Sequence, residues 1–453
     1  MIADLKPYEK YKESGLPWLG KFPAQWVIKR GKSYLYAVDK RSEKGSEELL
    51  TVSSARGVVP RRTANVTMFK AESYAGHKLC WPNDLVINSL WAWAGGLGVS
   101  QHHGIISTAY SVYRGRPSAG INPRFLHELV RSSAFHWELK VRSKGVWISR
   151  LQLTDTAFLD APIPLPPPDE QAAIVRFLNW ANGRLEKAIR AKRKVIALLN
   201  EQKQAIIHRA VTRGLNPNAP LKPSGIPWLG DIPQHWGVAK FKHFFRVRMG
   251  QTFLKPDLSE TGELPVLSAT MSGAILGYTA RAKARTLLRE GDLVIPARGN
   301  SIGYVALVNQ LCTSSQTTIQ AIRIPNERLS TRFAHLFSVG NKPFLYSFVQ
   351  TAIPQITTQE VASNPVLLPP MSEQTEICDA VDAECSGLIT GIARTEREIA
   401  LMQEYRTRLT ADVVTGKLDV RGAASKLPDE APTSADPEES ELEDETAEEE
   451  LVA

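Results

Sequence analysis

Few residues of this 453-residue chain have the types and spacing that chemistry needs. His127-Glu128 opens like a zinc-protease helix motif, but the second histidine of His-Glu-x-x-His is missing. His102-His103 would need further ligands to hold a metal, and the pair reads as solvated loop. Gly299 to Gly303 lacks the lysine of a phosphate-binding loop. Gly95-Gly96-Leu97-Gly98 lacks the strand-turn-helix setting of a dinucleotide fingerprint. Asn122-Pro123-Arg124-Phe125 approaches the Asn-Pro-Pro-aromatic motif of amino-methyltransferases, with arginine where that motif needs proline, and reads as a helix start. Cys80, Cys312, Cys378 and Cys385 have no Cys-x-x-Cys spacing, so neither zinc nor a disulfide is expected. The expectation is a chain without a catalytic, cofactor or metal site of its own.

The elements that would position any site are organised around two long helices. The pattern predicts one helix over Asp169 to Thr212 and a second over Ser372 to Thr415, a shift of 203 residues. Pro166-Pro167 and Pro369-Pro370 stand before them, and Asp169 and Ser372 are candidate N-caps. Glu170-Gln171 recurs as Glu373-Gln374. A heptad seam runs through Leu178, Leu185, Ile189, Ile196, Leu199 and Ile206 in the first helix. In the second it runs through Val381, Leu388, Ile392, Ile399, Met402 and Leu409. Its breaks fall in register, Lys192 with Thr395 and Lys203 with Arg406. A seam of about five heptads is the coiled-coil signal. Two arrangements satisfy it: dimerisation segments, or two helices paired within one chain as a spacer, which the wider repetition favours.

That repetition extends to nearly everything else. GLPWLGKFPAQW at Gly15 to Trp26 returns as GIPWLGDIPQHW at Gly225 to Trp236, a Pro/Gly-rich latch with two tryptophans. Leu49 to Val59 echoes Leu264 to Ile275 as strand then loop. Asp84-Leu85-Val86-Ile87 returns as Asp292-Leu293-Val294-Ile295 at a shift of 208, as do Ser107 on Ser315 and His127 on His335. Strands are expected at 84–87, 293–295 and 304–308, with short helices near 123–133 and 331–339. The frame repeats while the loops differ, which suggests two different ligands of one kind.

Charge narrows the ligand. Residues 422–453 hold twelve acidic side chains and one lysine, whereas residues 1–421 hold 54 basic and 35 acidic ones. A body of net charge +19 suits nucleic acid. The acidic tail is expected to be disordered. No window of 18 apolar residues and no apolar leader is present in the sequence, so the expectation is a cytoplasmic protein with no membrane partner.

PLPPPDEQ and LLPPMSEQ each open a long helix that closes on a Val-Thr segment, and with the GLPWLG and DLVI segments they resemble type I restriction-modification specificity subunits over about residues 8 to 421. The resemblance implies an α+β chain: two mixed α/β target recognition domains separated by two long antiparallel coiled-coil helices, with an internal pseudo-twofold repeat and a disordered acidic tail. The segments would be domain 1 at 1–167, helix 1 at 168–216, domain 2 at 217–370, helix 2 at 371–418 and the tail at 419–453. It also implies a non-catalytic subunit that reads a bipartite double-stranded DNA target. Two modification (methyltransferase) subunits would dock on the helices, and two restriction subunits are left open. S-adenosylmethionine, ATP and Mg would belong to those partners. Arg, Lys, Asn, Gln, Ser and Thr read base edges in the major groove. The candidates are Arg56, Arg61, Arg62, Gln101, His102 and His103 in domain 1, with Trp91 and Trp93 propping their loop. In domain 2 they are Thr270, Arg298, Asn300, Ser314, Ser315 and Gln316. Ser107 and Ser315, matched between the copies, suit the frame better than reading. Other readings are a coiled-coil adaptor without DNA recognition, a self-contained methyltransferase, and a subunit of a methylation-only or type II-like system.

Overall fold

The computed structural model describes residues 5–63, 73–145, 151–268, 270, 274–299, 301–346 and 355–428. The chain has mixed helix and strand content and divides into two compact units. Unit 1 is Met1–Lys192 with Arg397–Ala453; unit 2 is Arg193–Glu396.

Unit 1 holds an antiparallel sheet of β1 (Leu35–Ala37), β2 (Leu85–Asn88), β3 (Leu97–Val99) and β4 (Tyr110–Gly115), in the order β1-β4-β2-β3. The DLVI run makes β2, and its alternation serves two cores. Leu85 and Ile87 face the main core, with α1 (Pro123–Arg131) and α2 (Ser133–Arg142). Val86 faces a smaller core with Leu50, Val58 and Ile106. A strand buried on both faces explains the unbroken apolar run. Asn122 caps α1, its side chain accepting from the amides of Arg124 and Phe125, so the Asn-Pro-Arg-Phe motif is a helix start. The expected strand-then-loop at 49–59 is a hairpin, Leu50–Ser53 with Gly57–Pro60, because the loop folds back as a second strand.

Unit 2 repeats the sheet. Its strands β5 (Phe245–Met249), β6 (Leu293–Pro296), β7 (Ala306–Leu307) and β8 (Thr318–Arg323) run in the order β5-β8-β6-β7. Leu293 and Ile295 face a main core with α4 (Thr331–Gly340), and Val294 a smaller one with Leu288 and Cys312. The sequence between them holds the first long helix, α3 (Pro168–Arg213), and the second, α5 (Met371–Val414), follows.

Both long helices begin one residue earlier than expected. Pro168 and Met371 are the first helical residues, so Asp169 and Ser372 lie inside the first turn and are not the caps. The carbonyl of Pro167 accepts from the amides of Glu170 and Gln171, and that of Pro370 from Gln374. Proline at the first turn lacks the amide that would otherwise go unpaired. In unit 1 the start of α3 packs with the end of α5: Ile174, Phe177, Leu178 and Ala181 share a core with Leu409, Val413 and Val414. In unit 2 the end of α3, Ile206, Ala210 and Val211, shares a core with the start of α5, Ile377, Cys378, Val381 and Cys385. Start against end in each unit is an antiparallel run. None of the twelve seam residues is exposed. Two of the seam's polar breaks carry ion pairs inside unit 1, Lys192 Nζ to Glu398 Oε2 at 2.5 Å and Arg406 Nη1 to Glu186 Oε2 at 3.2 Å.

The tail begins later than expected at 419. Val420, Ala424 and Leu427 lie on one face of a short turn and are buried in unit 1, where the Leu427 carbonyl accepts from Arg176 at 2.6 Å. Residues 429–453, with all twelve acidic side chains, lie outside the described residues. Among the described residues no helix is long and apolar enough to cross a membrane.

Candidate nucleic-acid interface

The repeated polar residues build a similar frame in both units. Glu170 is buried and accepts from Trp26 Nε1 at 2.6 Å, from Gln25 Nε2 at 3.3 Å and from the Tyr8 hydroxyl. In unit 2 Glu373 accepts from Trp236 Nε1 at 3.1 Å and pairs with His235 Nε2 at 2.8 Å. The second tryptophan of each latch thus holds the first turn of a long helix. Gln171 donates to Pro166 O and Gly120 O and accepts from Asn122 N; Gln374 donates to Pro369 O and Arg328 O and accepts from Ser330 N. Both glutamines are fully buried and tie the helix start to the loop before the short helix. Asp84 and Asp292 each accept from the amide three residues earlier. His127 Nδ1 accepts from Val99 N at 3.1 Å, which leaves its proton on Nε2, while His335 Nε2 lies 2.9 Å from Val305 O. Burial lowers both histidines, His127 to about 4, so both are neutral near neutral pH. All four cysteines are buried thiols, and burial pushes Cys80 and Cys312 up to about 12.

The candidate readers fall into three groups. Gln101, His103, Arg62, Arg298 and Gln316 are exposed. Arg62 Nε lies 2.9 Å from Glu48 Oε1; Gln101 Oε1 accepts from Arg124 at 3.4 Å; Gln316 Oε1 accepts from the Thr252 hydroxyl at 2.6 Å. Arg56, Arg61, His102 and Thr270 are half-buried. Arg56 Nη2 donates to Thr63 O at 2.8 Å, and Thr270 Oγ1 accepts from Ala274 N at 2.7 Å, so both shape their own loops. Ser314 and Ser315 are corrections: they are buried and cannot reach a base. The Ser314 hydroxyl accepts from Thr318 Oγ1 at 2.7 Å and Gln320 Nε2 at 3.1 Å, inside the sheet. Asn300 lies outside the described residues. Trp91 and Trp93 stack on each other with ring centres 5.9 Å apart, and Trp91 is exposed.

Two basic features escaped the sequence reading. In unit 1, Arg114, Lys40 and His103 gather around the Trp81 ring, with Arg114 also forked onto Asp84 at 2.7 Å through both nitrogens. Nothing in the sequence brings residues 40, 81, 103 and 114 together before the sheet is known. In unit 2, Arg281, Lys283 and Arg285 follow the antiparallel pair Leu264–Leu267 with Ile275–Thr279, Gln251 bonding the backbone of Lys283 and Arg285 at 2.8 and 2.7 Å. The alternating cations of RAKAR were the available signal. Cationic groups, exposed amides and aromatic faces can hold phosphates and base edges.

Residues 233–395 match the type I restriction modification DNA specificity domain. The chain is similar to the type I restriction enzyme MjaVIII specificity subunit of Methanocaldococcus jannaschii, 23% identical over 300 residues, 62% of this chain and 68% of the relative. It is likewise similar to the type I restriction enzyme EcoKI specificity subunit of Escherichia coli, 22% identical over 389 residues, 76% and 80% of the two chains. These matches make the chain similar to type I restriction-modification specificity subunits. A solved chain from a type I R-M system shares the fold, with a TM-score of 0.60 at 17% identity over 88% of this chain and 99% of that one. The family model reaches only the second unit, yet the sheet order, the latch and the Glu-Gln pair recur in the first.

Proposed function

We propose that this chain is the non-catalytic, DNA-reading subunit that directs a type I restriction-modification complex to a bipartite target. Each unit reads one half of that target through its own loops. The long helices separate the two target recognition domains as an antiparallel coiled coil, relate them by a pseudo-twofold repeat, and set the gap between the half-sites. The helices also dock two modification subunits, which bring S-adenosylmethionine; restriction subunits, where present, bring ATP and Mg. The complex works in the cytoplasm. The observation that carries this reading is one sheet, one latch and one Glu-Gln helix start, made twice, with loops that differ in sequence. A coiled-coil adaptor would have no use for two basic modules with different loops.

The test is exchange of residues 27–162 for the equivalent segment of a relative, followed by methylation-site mapping of the assembled complex. One half of the methylated sequence should change and the other half and the gap should stay. A change in both halves, or in neither, would overturn the reading.

A further inference from the structure

We propose that Arg131 fixes the relative position of the two loops that carry the first unit's readers, and so helps determine which bases that unit accepts. The inference rests on the DNA-reading function above. Arg131 is the last residue of α1, and its guanidinium reaches five backbone carbonyls on two separate loops. Nη2 donates to Ser54 O at 2.7 Å and Ala55 O at 2.6 Å, in the turn of the hairpin that carries Arg56 and leads to Arg61 and Arg62. Nη1 donates to Leu97 O at 2.8 Å, with Gly95 O at 3.4 Å and Ser53 O at 3.5 Å. Residues 95–97 close the loop that displays Trp91 and Trp93 and lead through β3 to Gln101 and His102.

The two backbones approach closely where Gly57 faces Gly98. A Cβ on Gly98 would lie 3.0 Å from Gly57 Cα, and one on Gly57 would lie 3.1 Å from His127 Cε1. Carbonyl oxygens converging in this way repel one another unless a donor group answers them all. The planar guanidinium has five N–H groups in a fixed fork and can serve two loops at once, whereas an ammonium is a point donor. The negative end of the α1 dipole favours a cation at the same place. At the shift of 208 that relates the units, position 131 falls on Val339, whose side chain has no donor for such bonds, so unit 2 serves as an internal control.

The experiment uses the full chain assembled with its methyltransferase partner, in wild-type, Arg131→Ala and Arg131→Lys forms, with methylation-site mapping and urea unfolding. Arg131→Lys keeps the cation at the helix end and preserves the fold should the alanine variant fail to assemble. The expected result is relaxed recognition in one half only, the half that changes when residues 27–162 are exchanged. Discrimination against single mismatches there should fall about tenfold, with the other half and the gap unchanged. A purely structural arginine would lower stability and overall methylation while leaving every letter intact, and that result overturns the proposal. Relaxation of both halves alike overturns it too. If the wild-type complex itself methylates no bipartite target, the function proposed above fails instead.

Discussion

Trp26 and Trp236 occupy the same place in the two latches, and both are fully buried. Replacing either by phenylalanine removes the same volume, so the difference between the variants isolates the lost hydrogen bond. Glu170 is almost wholly buried and depends on donors from Trp26, Tyr8 and Gln25. Glu373 is partly solvated and keeps His235. Leaving a buried acceptor under-satisfied costs about 1–3 kcal/mol, so Trp26→Phe should destabilise more than Trp236→Phe by about 1 kcal/mol. Urea unfolding of the two variants measures it, and an equal loss would mean the carboxylates play no part in holding the latch. The tryptophans and glutamates were each visible as repeats, but not their pairing. Nothing local links positions 26 and 170, and only the fold brings them together. Ser314 misled for the opposite reason. A hydroxyl in a loop-like run looks available, and its partners Thr318 and Gln320 show their role only once β8 is formed.

The long helices were legible because period alone defines them. A seam repeated over 44 residues is a strong pattern, and the proline clusters mark where each helix starts. Their limits were off by one residue: Pro168 already stands in the first turn of α3, and Met371, directly after Pro370, opens α5. The sheets were half legible. DLVI announced a strand, but strand order depends on pairs such as β4 with β1 that lie far apart in sequence. At this scale burial separates two leucines on one helix. Leu178 is fully buried and Leu198 is 54% exposed. Leu178→Ala should cost about 2–5 kcal/mol, as core truncations do, and Leu198→Ala less than about 0.5 kcal/mol. Thermal unfolding of both variants is the check, and comparable losses would mean that the seam does not face a core.

For the whole molecule the question is whether the helices measure DNA. The unit boundary falls after Lys192 in α3 and after Glu396 in α5. Those two points are matched in the antiparallel run, for Lys192 pairs with Glu398 inside unit 1. A heptad inserted after each point would therefore leave the internal contacts of both units intact and extend the seam in register. Seven residues add ~10.5 Å of helix, and a heptad turns an ideal helix by only about 20° from its starting face. With ~3.4 Å of duplex per base pair, the gap between half-sites should grow by about three base pairs while both sets of letters stay the same. Inserting the heptad in one helix alone puts the seam on one side out of balance, and assembly with the methyltransferase should fail. Methylation-site mapping of the doubly extended chain decides the matter. An unchanged gap in a complex that still methylates, or altered letters in either half, would mean that spacing is set in the units themselves and the helices only hold partners.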